Sequence, residues 1–582
     1  METNMISLDR LNVAPVDEFV AALGGIFEHS PWIAERAAQA RPFQSRVQLL
    51  DAMCAVIAGA SGNEQLELIR AHPELAGKAA IRKQLTAESG KEQQGAGLDS
   101  CTPAEFARLQ ELNKAYGERF GFPFILAVRG HAPASVIRAF EERIKHSVAA
   151  EQDVALHQIG RIGGFRLADV VTTAAGAEIM AMIDELAQHS EHADNLTCSY
   201  LSPAHQAVAS QIRDWMLAAG LGVEVDAIGN VVGRWRCGQP GARTLITGSH
   251  YDTVIDAGRY DGRLGIVLPI VCTLELRQQG KRLPFDLEII AFADEEGVRY
   301  KSTFLGSSAV AGCFDTSLLN SVDDRGVSMR DALRAAGLDP TAIPLLARDP
   351  RQLLGYAEVH IEQGPLLLNE HRAVGVVTAI AGSVRYGVTI TGQAGHAGTV
   401  PMTMRKDAAA AAAEIVLAVE KHCAGTPGLV GTVGKLEVPN GAINVIPGRC
   451  DLTIDVRAGE DEVRDAALAQ VFGDIEAIAA RRGVSAEIRQ MMNASAAPCS
   501  PEIQRKLTRS IRKVTGEAAP RYLPSGAGHD AMKMASVTDI GMLFVRCGND
   551  GISHHPAETM TPEDADLAAR VFTDFLLTFQ DP

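Results

Sequence analysis

The stretch 244-TLITGSHYDTV-254 decides how this chain is read. An apolar run of strand length ends on Gly-Ser-His, and Asp252 follows two residues after His250. A strand that delivers chemistry-bearing residues at its carboxyl end is how open α/β sheets present ligand sites. The construction recurs downstream. 287-LEIIAFADEEG-297 ends on adjacent carboxylates, and 355-GYAEVHIEQGP-365 delivers His360. Helical periods separate these runs, as in 203-PAHQAVASQIRDWMLAAG-220 and 265-GIVLPIVCTLELRQQG-280. Short buried strands alternating with helices indicate a layered α/β sheet.

Two further motifs, 261-DGRLG-265 and 553-SHHPAE-558, complete a constellation. Together the motifs predict one dinuclear metal site built from His250, Asp261, Glu296, His360 and His554. A set of imidazoles and carboxylates suits Zn²⁺ or Mn²⁺. One carboxylate shared by two ions would give a two-metal hydrolase. Asp252 is spaced to fix the tautomer of His250. Gly262 next to Asp261 permits close backbone approach to an ion. Glu295 and Glu296 are neighbours whose side chains point apart, so they take different roles: one binds metal, the other faces substrate and water as general base.

Outward from this core the chain divides. Residues 1–168 read as helical. Segments such as 45-SRVQLLDAMCAVIAGA-60 and 103-PAEFARLQELNKAYGERF-120 repeat apolar residues at helical spacing, with almost no alternating run. Residues 381–491 read as an insertion. 383-SVRYGVTITGQAGHAG-398 and 448-GRCDLTIDVRAG-459 alternate with period two, and two amphipathic helices accompany them. The expected architecture is therefore multidomain: an all-α domain over 1–168, an α/β metallohydrolase domain over 172–380 and 492–582, and an inserted α+β domain over 381–491. His554 then belongs to the same sheet as His250.

Composition bounds the function classes. The 582 residues exceed one core, with 46% hydrophobic and 22% charged residues. A net charge of −16, from 55 basic and 71 acidic residues, argues against nucleic acid and anionic membranes as partners, since both need a basic face. The ten cysteines are scattered without a CxxC, no basic n-region precedes an apolar h-region, and no span of eighteen apolar residues occurs. A cytoplasmic enzyme acting on small molecules is the expectation.

In order along the chain, GSHYDTV, DGRLG, ADEEG, HIEQGP, GHAGTVPM, NVIPG, SGAGHDA and SHHPAE resemble the hydantoinase/carbamoylase branch of the dinuclear metallopeptidase superfamily, which includes allantoate amidohydrolases. The resemblance covers about 172–582. It implies His250, Asp261, Glu296, His360 and His554 as ligands of two divalent ions, with Asp261 bridging and Glu295 as base. Mn²⁺ is preferred by the resemblance, with Zn²⁺ or Co²⁺ as alternatives. It further implies Gln363, His396, Asn444 and Arg457 as substrate contacts. Arg457 suits a carboxylate, and His396 and Asn444 suit an oxyanion. The 381–491 domain would be a lid that mediates a homodimer, with some contacts supplied by the partner subunit. In SHHPAE the family pattern assigns the ligand to His554 and leaves His555 at the variable position.

The helical segment carries its own signature. 70-RAHPELAGK-78, 88-ESGKEQQGAGL-98 and 113-NKAYGERFGFPFILAVRG-130 resemble the decarboxylase of 2-oxo-4-hydroxy-4-carboxy-5-ureidoimidazoline (OHCU). The resemblance implies (S)-allantoin as product, His72 as the catalytic residue, Pro73, Ser89, Glu92 and Gln93 around the substrate, and no metal. Arg119 either meets the substrate carboxylate or caps its helix. The chain as a whole then reads as bifunctional. One half makes allantoin. The other hydrolyses allantoate to ureidoglycine, ammonia and CO₂, or, as the alternative, acts on an N-carbamoyl-L-amino acid, a β-ureido acid or ureidoglycolate.

Overall fold

The computed structural model describes residues 5–75, 89, 92, 98 and 101–580. From Leu8 to Val170 the described chain is helical. Local signals set the helix ends. Ser61 and Glu64 form a reciprocal capping box ahead of Gly62–Ala71, and Thr102 and Glu105 do the same ahead of Pro103–Phe120. Gly121 closes the latter helix at φ 74°, a left-handed conformation that glycine adopts without strain. Phe19, Phe27, Leu109, Tyr116, Phe124 and Phe140 are buried together in this region's own core. The 23-residue helix Val148–Val170 runs into Val171–Thr172, which pairs in parallel with Ile6–Ser7. The start of the helical region is thus tied to its end.

The following chain builds a nine-stranded sheet. Its order is Ala497–Pro498, Val374–Ile380, Ile540–Val545, Leu353–Ile361, Thr244–His250, Asp286–Phe292, Val231–Trp235 and Gly222–Val225, with Tyr522–Ser525 also on Val374–Ile380. The four central strands Ile540–Val545, Leu353–Ile361, Thr244–His250 and Asp286–Phe292 run parallel. All four are buried almost throughout, as parallel strands covered on both faces must be. Helix Leu264–Gln278 is buried nearly all round, so its lack of an amphipathic stripe is expected. It packs against Ala175–Ala187 and Pro562–Thr578.

Between the strands Val374–Ile380 and Ala497–Pro498 stands a second, five-stranded antiparallel sheet with its own core. Strand Arg449–Ala458 shows why: Cys450, Leu452, Ile454, Val456 and Ala458 point inward under the helices Ala408–Ala424 and Asp461–Arg482, and the residues between them do not. Its last strand, Ser485–Ala494, carries a bulge at Gln490/Met492 and ends with Ala494 opposite Ser383. No helix among the described residues is long and apolar enough to cross a membrane.

Candidate active sites

Parallel strands put their carboxyl ends on one edge of the sheet. Register pairs His250 with Phe292 and Phe544 with His360, so His250, His360 and the Asp294–Glu296 turn converge there. Asp261 lies just before helix Leu264–Gln278. Its two oxygens face opposite ways. Oδ1 is 3.5 Å from His250 Nε2 and 3.2 Å from His360 Nε2, while Oδ2 is 3.2 Å from His554 Nε2. His554 Nε2 is also 3.4 Å from Glu296 Oε1. Two donor groups result, His250–Asp261–His360 and Asp261–Glu296–His554, sharing Asp261. That is the arrangement a bridging carboxylate between two divalent ions requires.

The neighbouring contacts hold these groups in ligand geometry. His250 Nδ1 faces the Asp252 carbonyl at 3.2 Å, and His360 Nδ1 faces the Ile361 carbonyl at 2.9 Å. Carbonyls only accept, so each Nδ1 carries the proton and each Nε2 is left as a ligand atom. The Asp252 carboxylate accepts the backbone N–H groups of Glu295 at 3.0 Å and Glu296 at 3.1 Å, fixing the two adjacent carboxylates together. Gly262 is obligatory: at φ 68°, a Cβ would lie 2.5 Å from His250 Cε1. His554 itself holds a left-handed φ of 55°, and Gln363 one of 54°. Backbone strain of this kind is stored where surrounding contacts over-determine a position. His555 points elsewhere, its Nδ1 accepting the Ala557 N–H at 3.0 Å.

Electrostatics fits the same set to cations. Burial pushes the Glu295 carboxyl well above the usual carboxylate range. Burial and the nearby Asp261 charge push Glu296 up to about 7. Carboxylates crowded and desolvated in this way favour bound positive charge. The residues present therefore fit two divalent ions.

A cavity of about 320 Å³ opens from this cluster. Glu295, Gln363 and Arg457 line it together with His250, Asp261, Glu296 and His554. Gln363 Nε2 donates to Asp261 Oδ2 at 2.8 Å, while its buried Oε1 has no partner. Arg457 Nη1 donates to the Gly526 carbonyl at 2.9 Å. His396 and Asn444 are absent from this wall. They sit together on an exposed two-stranded ladder, where the Ala397 N–H donates to the Asn444 carbonyl.

Several residues of the site escape sequence reasoning. Arg385 lines the cavity beside Arg457, and Asp455 accepts from both guanidiniums, at 2.9 and 3.0 Å. Although burial works against it, those hydrogen bonds keep the Asp455 carboxyl below its ordinary value. Glu558 accepts the Tyr260 N–H at 2.7 Å, and Ser553 Oγ, with one hydrogen to share, lies 2.8 Å from Glu558 and 2.9 Å from Asp261 Oδ2. The loop of His554 is thus sewn to the loop of Asp261. Ser553 and Glu558 stand in SHHPAE, so the motif held that signal.

The helical region holds a second cluster. His72 caps helix Gly62–Ala71 and lines a small cavity with Pro73, Ser89, Glu92 and Arg166. Its Nδ1 donates to the Leu68 carbonyl at 2.9 Å, and burial holds the imidazole below its usual value, so it is neutral at pH 7. Arg166, unforeseen from sequence, pairs with Glu92 and Glu28, each at 2.9 Å, and donates to Ser89 Oγ at 3.2 Å. Gln93 lies outside the described residues. Arg119 does not reach the cavity: it is exposed, and its guanidinium donates to the His146 carbonyl at 2.8 Å while stacking near Phe120. This contact ties the last turn of its helix to the loop that holds His146.

Comparison with known proteins finds two family models on the chain. That of OHCU decarboxylase matches residues 12–168, and that of peptidase family M20/M25/M40 matches residues 246–578. An allantoate deiminase of Arabidopsis thaliana is 41% identical over 428 residues, covering 69% of this chain and 81% of that protein. An N-carbamoyl-L-amino acid amidohydrolase of Geobacillus stearothermophilus is 39% identical over 360 residues, covering 62% of this chain and 87% of that protein. Among solved structures, a hydantoinase/carbamoylase family amidase from Burkholderia multivorans superposes with a TM-score of 0.65 at 31% identity, covering 69% of this chain and 97% of that one.

Proposed function

The chain belongs to peptidase family M20/M25/M40 and carries an OHCU decarboxylase domain ahead of that part, and from this premise we propose that it is a bifunctional enzyme of purine catabolism. Its helical region decarboxylates OHCU to (S)-allantoin. Its α/β region hydrolyses allantoate to ureidoglycine, ammonia and CO₂. The observation that carries the second assignment is one cavity holding both the Asp261-centred donor set with Glu295 and the carboxylate-binding candidate Arg457. A hydrolase for a ureido compound bearing a carboxylate needs those parts together.

His250, Asp261 and His360 would hold one ion, and Asp261, Glu296 and His554 the other; Mn²⁺ is favoured, with Zn²⁺ or Co²⁺ also suited to the donors. When bound, the pair supplies Lewis acidity toward water and the ureido carbonyl. Glu295, on the cavity wall beside the donor set, takes the proton of the attacking water and returns it to the leaving nitrogen. Gln363 orients the ureido group, and Arg457 pairs with the substrate carboxylate. His396 and Asn444 complete the oxyanion pocket from the partner subunit of a homodimer formed through the inserted domain, which also acts as a lid; their exposure away from the cavity supports this. All ten cysteines are free, which supports a cytoplasmic setting.

In the helical region, loss of CO₂ leaves an electron pair on the substrate ring. A substrate carboxylate beside neutral His72 raises its proton affinity, so His72 takes up a proton on binding and delivers it to the ring. Pro73, Ser89, Glu92 and Gln93 surround the substrate, with Arg166 positioning Ser89 and Glu92.

The similarity to N-carbamoyl-L-amino acid amidohydrolases keeps a second reading for the α/β region, in which an N-carbamoyl-L-amino acid, β-ureido acid or ureidoglycolate is the substrate. The test is kcat/KM for ammonia release across these compounds with the Mn²⁺-loaded protein. Allantoate should lead. A higher value for any other compound would transfer the assignment to it.

A further inference from the structure

A cavity of about 400 Å³ lies between the helical region and the α/β layer and shares no lining residue with either cluster of catalytic groups. Five helices wall it. Val47, Leu50, Asp51 and Cys54 form a stripe of Arg46–Ala58, and Glu178, Met182 and Glu185 a stripe of Ala175–Ala187. The remaining walls come from Val148–Val170, Pro203–Ala218 and Leu264–Gln278. The volume matches small-molecule sites, and the walls are largely apolar.

Its charges are unbalanced. Arg46 is paired with Glu178, and Arg161 is paired with Asp214 at 2.5 Å. Asp51 at the mouth and Glu185 deeper in have no hydrogen-bond or ion-pair partner among the described residues. Asp51 is exposed and hydrated, but Glu185 is half-buried among apolar walls, where a charged carboxylate is costly unless a cation meets it.

We propose that this cavity binds a small organic ammonium compound with an apolar body, of arylalkylamine size. The apolar body fills the space between Leu50, Phe165, Trp215 and Leu274, and the ammonium meets Asp51 and Glu185. Burial, with the charges of Asp51 and Glu178, pushes the Glu185 carboxyl up to about 7, as expected of an acid lacking a counter-ion. The bound molecule would touch the helix that carries Arg166 and the helix that follows Asp261, and so both halves of the protein.

The test is isothermal titration of the intact protein with phenethylamine, phenethyl alcohol and 3-phenylpropionate. The amine should bind at least about tenfold tighter than the alcohol, the ratio one charge-assisted hydrogen bond supplies, and the acid should not bind. The preference should vanish in Asp51→Asn/Glu185→Gln, or in Asp51→Asn alone if the double variant does not fold. Ala58→Trp, at the rim, should weaken all binding. Equal binding of amine and alcohol, or an amine preference that survives the acid-to-amide variants, would overturn the proposal.

Discussion

Replacing Asp252 with Asn isolates how far the amidohydrolase site depends on a residue that touches neither ion nor substrate. The carboxylate is 1% exposed and accepts two backbone N–H groups, those of Glu295 and Glu296, with His250 Nδ1 at 3.4 Å. Asn preserves size but turns one acceptor oxygen into an N–H₂ donor that faces a backbone N–H. One charge-assisted hydrogen bond, worth roughly 1.5–3 kcal/mol, is lost, and the turn that presents base and ligand is released. Residues orienting metal ligands typically control about 10- to 100-fold in affinity or activity, which is about 1.4–2.7 kcal/mol of barrier. The account predicts a kcat for ammonia release lowered by that factor, KM changed much less, and metal content reduced after dialysis, with decarboxylation unchanged. The assay is coupled ammonia detection alongside elemental analysis of the dialysed protein. A folded variant with wild-type kcat and full metal content would refute the reasoning.

His554→Ala should abolish ammonia release and His555→Ala should leave it within about twofold, because only His554 faces Asp261 and Glu296; parallel kcat measurements decide. Arg166→Met should leave Glu28 and Glu92 without their shared cation. By the cost of breaking a buried pair it should destabilise the helical region by about 3–5 kcal/mol, read by urea unfolding, and remove decarboxylation. Glu185 is protonated more readily in the folded than in the unfolded protein, so the folded state holds the extra proton and stability falls as pH rises from the ordinary carboxyl value of about 4.5 to about 7. Glu185→Gln should therefore raise Tm at pH 8 and leave it unchanged at pH 4; the same gain at both pH values would contradict that assignment.

Much of the molecule was legible because its chemistry sits where secondary structure ends. His250, Glu296 and His360 follow apolar runs at strand ends, and the parallel register then brings them together without further information. Glu295 and Glu296 lie in the turn beyond the strand Asp286–Phe292, so strand alternation does not govern them, and both line the cavity. Arg166 was hidden for the opposite reason: it occupies an ordinary position in a long helix, and its partner Glu28 is 138 residues away in sequence. Arg385 and Asp455 alternate along exposed-looking strands, so only the pairing of those strands reveals that they share one charge network. Arg119 shows the converse. Its motif left it between the substrate carboxylate and its own helix end, and spacing could not show that its guanidinium donates to the His146 carbonyl. His396 and Asn444 were legible as a motif, but the fold leaves both exposed and apart from the cavity lined by Arg457.

The proposed function requires two independent active sites on one chain, an amidohydrolase that depends on metal and a decarboxylase that does not. The most direct measurement follows ammonia from allantoate and CO₂ from OHCU in the wild type, Glu295→Gln and His72→Ala, before and after chelation. Glu295→Gln and chelation should each remove only ammonia release, and His72→Ala should remove only decarboxylation. Loss of both activities in either folded variant, or decarboxylation that fails with chelator, would contradict the account.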